Sequence, residues 1–301
     1  MGIESAYRAA KEKGGYFVLD DWDLLCVSGE DRVTFLHNMT TLNVRELPMG
    51  GAAYGLILND RGKIQADFWL YRADSFIWLL FQPLLGKKAR GILERYIIME
   101  NVSIEEVTPG WSLFLLMGSA AKLAMEIKLE EGCLKFWGRG VAPRNLYCAI
   151  PKNQRGFFAE KLLALNIPSL PNSLYEILRI ESGIPRYGVD FDESNIPWEA
   201  RLDEAIHLGK GCYLGQEIVE RVFSRGGIKK ELVRFQLQGE GPLLAGTQLF
   251  SNDHEVGAVT SSALLPGSQN VIGLAYVQKK DLGEQTPFHL ENGKEGILQK
   301  L

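Results

Sequence analysis

The chain has 301 residues, 46% apolar and 23% charged, with a formal net charge of −4. That length suggests about two domains of ordinary size, with a core that needs neither disulfides nor metal. The acidic balance carries no nucleic-acid signature, because a phosphate reader needs a basic stripe; the densest basic stretch, Lys229 and Lys230 with Arg221, Arg225 and Arg234, reads as solvated surface. Four scattered cysteines, Cys26, Cys133, Cys148 and Cys212, form no C-x-x-C pair, and the four histidines lack ligand spacing, so no metal site is expected. Sparse cysteine fits a reduced compartment. The first thirteen residues are polar with both charge signs, unlike a signal or transit peptide, and no apolar run is long enough to cross a bilayer. The expectation is a cytoplasmic protein with no membrane partner.

In chain order, residues 23–28 read as a short strand, and residues 31–38 as a short helix with Val33, Phe35 and Leu36 as its apolar side. Residues 52–58 read as a strand closed by a hairpin turn at Asn59-Asp60-Arg61-Gly62. The return strand alternates, with Ile64, Ala66, Phe68 and Leu70 on one face and Lys63, Gln65 and Asp67 on the other. A second hairpin at Ala73-Asp74-Ser75 leads into a strand over 76–82, so the sheet is expected to be antiparallel. After Pro83, Leu85, Ala89, Ile92, Leu93 and Tyr96 make one helical stripe. A strand over 111–117 leads through Gly118 to a helix ending near Leu129. Strands over 133–137 and 146–150 and a helix over 154–165 follow, the loose alternation of an α+β domain.

Past Arg225-Gly226-Gly227 the pattern changes to period two, with Val233, Phe235 and Leu237 alternating with Arg234, Gln236 and Gln238. Turn residues punctuate it at Gly239 to Pro242, at Ser251-Asn252-Asp253 and at Pro266-Gly267-Ser268. Residues 228–301 are therefore read as a small antiparallel β-barrel, and residues 1–227 as an α+β region of two parts.

Two segments carry candidate chemistry. In the first, Ser173 and Glu176 have capping-box spacing, and Gly183 and Pro185 supply a stop. Leu174, Ile177 and Leu178 define an apolar face whose next position is Glu181. A carboxylate there must be paired or hydrogen-bonded. Two readings are open: a buried ion pair or a tipped helix end, and a carboxylate aimed into a pocket to accept two parallel N–H donors, such as those on the 2-amino-pyrimidinone edge of a pterin. In the second segment, 209–217, Gly209, Gly211 and Gly215 flank Cys212 just before a helix at 216–223. Helix-start amides and the flanking Lys210 favour a thiolate; a small buried cysteine is the plainer alternative.

At these residues the chain resembles the YgfZ-type folate-binding proteins, relatives of the glycine-cleavage T-protein (aminomethyltransferase). The string Lys210-Gly211-Cys212-Tyr213-Leu214-Gly215-Gln216-Glu217 is similar to their signature. Arg179-Ile180-Glu181-Ser182-Gly183-Ile184-Pro185 resembles the R-x-E-x-G-x-P stretch shared with the T-proteins. The opening from Leu19 to Trp22 and from Gly29 to Thr41, the hairpin at Gly62-Lys63, and the tail from Gly257 to Ser262 extend the resemblance over nearly the whole chain. It implies two α+β parts and a barrel around a central folate channel, with tetrahydrofolate or a one-carbon derivative as ligand. It also implies that Glu181 contacts the pterin, with Trp22, Tyr175 and Lys210 at the folate site; Tyr175 stands where some members have a second Trp. Cys212 matches the motif cysteine and is the catalytic candidate.

One departure bears on function. The T-proteins carry an Asp after a strand end near the folate's reactive nitrogens, and the corresponding stretch here, residues 81–89, contains no carboxylate. The resemblance then implies a folate-binding protein that supports iron–sulfur cluster assembly or repair, with iron–sulfur proteins or assembly factors as partners. The alternatives are a folate-dependent one-carbon (aminomethyl) transferase and a non-catalytic interaction module.

Overall fold

A computed structural model describes residues 2–129, 132–142, 144–252 and 254–301; the Asp253 of the expected turn lies outside them. The elements run α1 (Ile3–Glu12), β1 (Gly15–Val18), β2 (Asp23–Ser28), α2 (Arg32–Met39), β3 (Ala52–Leu58), β4 (Ile64–Arg72), β5 (Ile77–Phe81), α3 (Leu85–Glu94), β6 (Ser103–Glu106), β7 (Trp111–Met117), α4 (Gly118–Met125), β8 (Leu134–Gly138), β9 (Asn145–Pro151), α5 (Arg155–Ala164), α6 (Asn172–Glu181) and α7 (Gln216–Arg225). The strands β10 (Lys230–Gln238), β11 (Gln248–Ser251), β12 (His254–Leu264), β13 (Asn270–Gln278), β14 (Gln285–His289) and β15 (Glu295–Lys300) complete the chain. Among the described residues no helix is long and apolar enough to cross a membrane.

The strands form a five-stranded sheet in the order β3-β4-β5-β2-β6, a four-stranded sheet in the order β1-β7-β9-β8, and a closed six-stranded barrel, β10-β13-β12-β11-β14-β15. Paired strands are antiparallel throughout, as the hairpin signals at 59–62 and 73–75 predict. Both sheets bury both faces. One face of the five-stranded sheet packs on α2 and α3 through Phe35, Leu36, Phe68, Leu79 and Ala89. One face of the four-stranded sheet packs on α4 and α5 through Phe114, Ala121, Phe158 and Leu162. Between the sheets lies a layer that joins Leu24, Trp78 and Leu80 to Leu113, Leu115, Phe136 and Tyr147, with α1 and α6 at its edge. The barrel has its own core of Val233, Phe235, Val271, Ala275, Phe288 and Leu298.

The barrel is locked to the rest by a buried ion pair. Arg179 on α6 donates to Asp190 at 2.5 Å, with side chains 2% and 0% exposed. Asp190 also accepts from Thr260 (2.5 Å) and Ser261 (2.6 Å) of β12, so the charge is fully hydrogen-bonded.

Helix α6 differs from the expected capping box. It starts at Asn172 after Pro171, with no side-chain cap. Glu176 is drawn instead to Arg179 and Arg186, and two guanidinium partners outcompete one backbone amide. The expected stop does form: Gly183 takes φ +69°, and the Ile184 amide reaches back to the Arg179 carbonyl at 2.8 Å, closing the helix end.

A candidate ligand site between the two sheets

Strand β4 lies inside a sheet covered on both sides, so its alternation separates two buried faces rather than core from solvent. Ala66, Phe68 and Leu70 face the helices. Asp67, Trp69 and Tyr71, at the opposite parity, face the other sheet. The structure keeps the expected parity, and Asp67 is 4% exposed. Its Oδ2 accepts from the Tyr54 hydroxyl at 2.8 Å and from the Gln82 amide at 3.4 Å. Its Oδ1 is buried with no partner. Burial pushes the carboxyl up from 3.8 to about 6, despite the opposing Tyr54 hydrogen bond. A carboxyl poised near neutrality, with one lone-pair face unused, is the arrangement expected of a group that meets a ligand or handles a proton.

Around Asp67 is a narrow slot with aromatic walls from Trp22, Trp69, Tyr147 and Tyr175. Ring centroids lie 6.3 Å apart for Trp22 with Tyr147 and with Tyr175, and 5.9 Å for Trp69 with Tyr147. The slot's volume of about 30 Å³ admits water but not a bicyclic ring. A larger cavity of about 450 Å³ shares Tyr54, Trp69 and Arg139 with it. A third, of about 330 Å³, shares Arg139 and Ile184. Arg139 thus stands where all three meet, ion-paired to Glu204, with side chains 18% and 50% exposed.

The residues expected at the site fall in three places. Trp22 and Tyr175 line the slot. Glu181 does not: it accepts from the Tyr7 hydroxyl and the Lys11 ammonium of α1, each at 2.8 Å, and its side chain is 23% exposed. It fastens α6 to α1, a helix that the polarity of the N-terminal residues did not reveal. To reach a ligand in the slot it would have to leave both partners.

Lys210 and Cys212 lie on the glycine loop, away from the slot lining. Lys210 is 8% exposed, donates to the His37 carbonyl and lies 4.8 Å over the Tyr213 ring. Burial, then Arg45, lowers its ammonium to about 7. It braces the loop against α2 rather than facing the slot. Cys212 is exposed. Gly209, Gly211 and Gly215 all take positive φ. Gly215 sits so close to the 59–62 hairpin that a Cβ there would come within 2.4 Å of the Asn59 carbonyl, so the two motif regions dock on each other.

Sequence reasoning passed over Asp67, Tyr54, Tyr147 and Arg139. One signal was present: Asp67 is a carboxylate at the parity of two large aromatic residues, Trp69 and Tyr71, that follow it on the same strand face. The stretch 81–89 does lack a carboxylate, yet its Gln82 touches Asp67 on the neighbouring strand. Among the described residues, no group of three or more His, Cys, Asp or Glu could hold a metal ion.

Residues 1–131 match the GCVT N-terminal domain family, and residues 230–297 match the glycine cleavage T-protein C-terminal barrel domain family. The chain is similar to an aminomethyltransferase of Rubrobacter xylanophilus, 26% identical over 307 residues that cover 94% of this chain and 81% of that protein. An aminomethyltransferase of Pelodictyon phaeoclathratiforme is 27% identical over 316 residues, 96% of this chain and 86% of that one. In three dimensions, the glycine cleavage system aminomethyltransferase T of Bartonella henselae superposes with a TM-score of 0.87 at 21% identity, covering all of this chain and 88% of that one. That likeness shows the fold: mixed α and β parts with a C-terminal barrel.

Proposed function

Since the chain is related to the glycine-cleavage T-proteins, we propose that the Asp67 slot holds the pterin end of a reduced folate, and that the chain is a folate-dependent one-carbon transferase of the aminomethyltransferase kind. The observation that carries this reading is the unpartnered Oδ1 of Asp67, buried among aromatic rings. A pterin edge offers two parallel N–H donors. One would meet Oδ1, and the second would replace the long 3.4 Å contact from Gln82 on Oδ2. Trp22 and Tyr175 would supply flat apolar walls for the ring, as ligand pockets generally do.

The closed slot is too small for the ring, so binding requires its lining, which includes Arg139 beside the two larger cavities, to move apart. In the bound state the aromatic walls exclude water around Asp67, which strengthens its hydrogen bonds and holds the ring in one orientation. A carboxyl that titrates at about 6 can also accept or return a proton near neutral pH. The test has two parts. Reduced folate should quench the emission of Trp22 and Trp69 in a saturable way. With an aminomethyl donor and tetrahydrofolate present, methylenetetrahydrofolate should form. Absence of saturable quenching overturns the folate reading; binding without turnover overturns the transferase reading.

A second reading is favoured by the exposed Cys212 on its glycine loop: a folate-bound accessory protein for iron–sulfur enzymes, in which that thiol contacts a cluster whose other ligands come from a partner. Under this reading Cys212→Ala leaves folate binding intact and abolishes the support of cluster-dependent enzymes. Full support by the variant contradicts it.

A further inference from the structure

A strained turn joins the slot to helix α3. Gln82, the donor to Asp67, directly follows β5, and its carbonyl accepts from the Leu85 amide at 3.2 Å, closing the turn. Leu84, inside that turn, takes φ +71°, a left-handed conformation strained for a residue with a Cβ. Its side chain is 88% exposed, so core packing does not hold it there. The group that reaches the turn is Asp23, at the start of β2 and directly after the slot wall Trp22. Asp23 pairs with Phe81 in the β2–β5 ladder, and its Oδ2 accepts from the Gly86 amide at 2.8 Å. It thereby satisfies a free amide of the first turn of α3, which the N-cap residue Leu84 has no side-chain acceptor to do. The fit is close: a Cβ on Gly86 would come within 2.5 Å of the Asp23 Cβ.

We propose that Asp23 is a positioning residue for the slot: by holding the first turn of α3 it keeps the Leu84 turn wound and the Gln82 amide against Asp67. The Gln82 N–H favours the ionised carboxyl, so the lock lowers the pH at which Asp67 becomes an acceptor. The bearing of this on ligand binding rests on the folate reading above. The other groups facing Asp67 come from separate elements: Tyr54 of β3, Arg139 just past β8, Tyr147 of β9, Tyr175 of α6, and Tyr187. Asp23 itself is pushed up by burial, against the Gly86 amide; Glu106 of β6 adds to the rise, the Leu84 amide opposes it, and Asp21 adds a smaller push.

The test is a carbon NMR titration of the full chain labelled at its aspartate carboxyls, with the Asp67 signal identified by its loss in Asp67→Asn. Asp23→Ala and Gln82→Ala should each raise the Asp67 midpoint by about half a pH unit, the worth of one long hydrogen bond to a carboxylate. The double variant should show no more than either single one, because both remove the same contact. Asp23→Asn keeps the acceptor without the charge and should titrate like wild type. A wild-type midpoint in Asp23→Ala overturns the proposal, and so does an additive double variant or an Asp23→Asn that behaves like Asp23→Ala. If Asp23→Ala does not fold, Gly86→Ala, whose methyl wedges α3 away from Asp23, decides in its place with the same expected rise. In calorimetry with 5-formyltetrahydrofolate, the pH below which binding weakens should rise by the same interval in Asp23→Ala. A carboxyl midpoint that moves while the binding profile does not overturns Asp67 as the ligand's acceptor and leaves the positioning role of Asp23 standing.

Discussion

Replacing Asp67 with Asn separates the energetic cost of the slot from its use. In the folded chain the carboxyl titrates at about 6, against 3.8 ordinarily, because burial disfavours the charged form more than Tyr54 and Gln82 favour it. The sign follows from proton counting. Between pH 4 and 6 the unfolded chain has lost this proton and the folded chain still holds it, so stability falls as pH rises through that window and levels off above it. At 1.36 kcal/mol per pH unit, ionised Asp67 costs the folded state on the order of 3 kcal/mol at pH 8. Asn keeps the shape, can accept from Tyr54 and cannot ionise. Asp67→Asn should therefore match wild type near pH 4 and be more stable by about 3 kcal/mol at pH 8. Urea unfolding of both proteins at pH 4.5, 6 and 8 measures the gap. A variant less stable than wild type at pH 8, or a gap that does not change with pH, would refute the claim that Asp67 is a desolvated carboxylate.

Three further outcomes follow from the same geometry. Glu181→Gln loses the Lys11 pair and weakens the Tyr7 bond, which should cost about 1 kcal/mol in thermal unfolding, and it should leave folate affinity unchanged; a tenfold loss of affinity would instead put Glu181 at the ligand. Asp190→Ala leaves the buried Arg179 with Glu176 as its one carboxylate partner and removes the acceptor of Thr260 and Ser261, which should cost about 1–3 kcal/mol, with protease cleavage between α6 and the barrel as a second readout. Lys210 titrates at about 7 when folded and near 10.5 when unfolded, so its contribution makes stability rise with pH between 7 and 10; Lys210→Met should flatten that rise in a melt-against-pH series.

Much of the fold was legible in the sequence because its signals are local. Period-two alternation and the turn residues at 59–62 and 73–75 mark β3 to β5, and the change of pattern after Gly227 marks the barrel strands. Glycine positions that need positive φ, Gly183 and Gly215, mark a helix stop and a helix start. The site was less legible because it is made by contacts across sequence. Asp67 and Trp22 lie on one side of the slot's chain path, and Tyr147 and Tyr175 come from far along it; no window of sequence contains both. Alternation separates the two faces of β4 but says nothing of what covers the second face, so a buried Asp reads like a surface one. Glu181 shows the converse. Its place on an apolar stripe required a partner, and the structure supplies Tyr7 and Lys11 of α1, packed alongside. Arg234 was misread for a related reason: a charge on an alternating strand is taken as solvated, whereas the structure packs its stem against Gly183 and buries its Nε.

The claim on which the functional account depends is that ionised Asp67 accepts hydrogen bonds from the ligand's ring edge. Calorimetric affinity for 5-formyltetrahydrofolate, measured for wild type and Asp67→Asn between pH 5 and 8, tests it most directly. The account predicts wild-type affinity that is constant above pH 7 and weakens toward tenfold per pH unit below 6, as protonation removes the acceptor, and a variant at least tenfold weaker at pH 7.5 with no such dependence. Equal affinity for the two proteins, with parallel pH profiles, would contradict it.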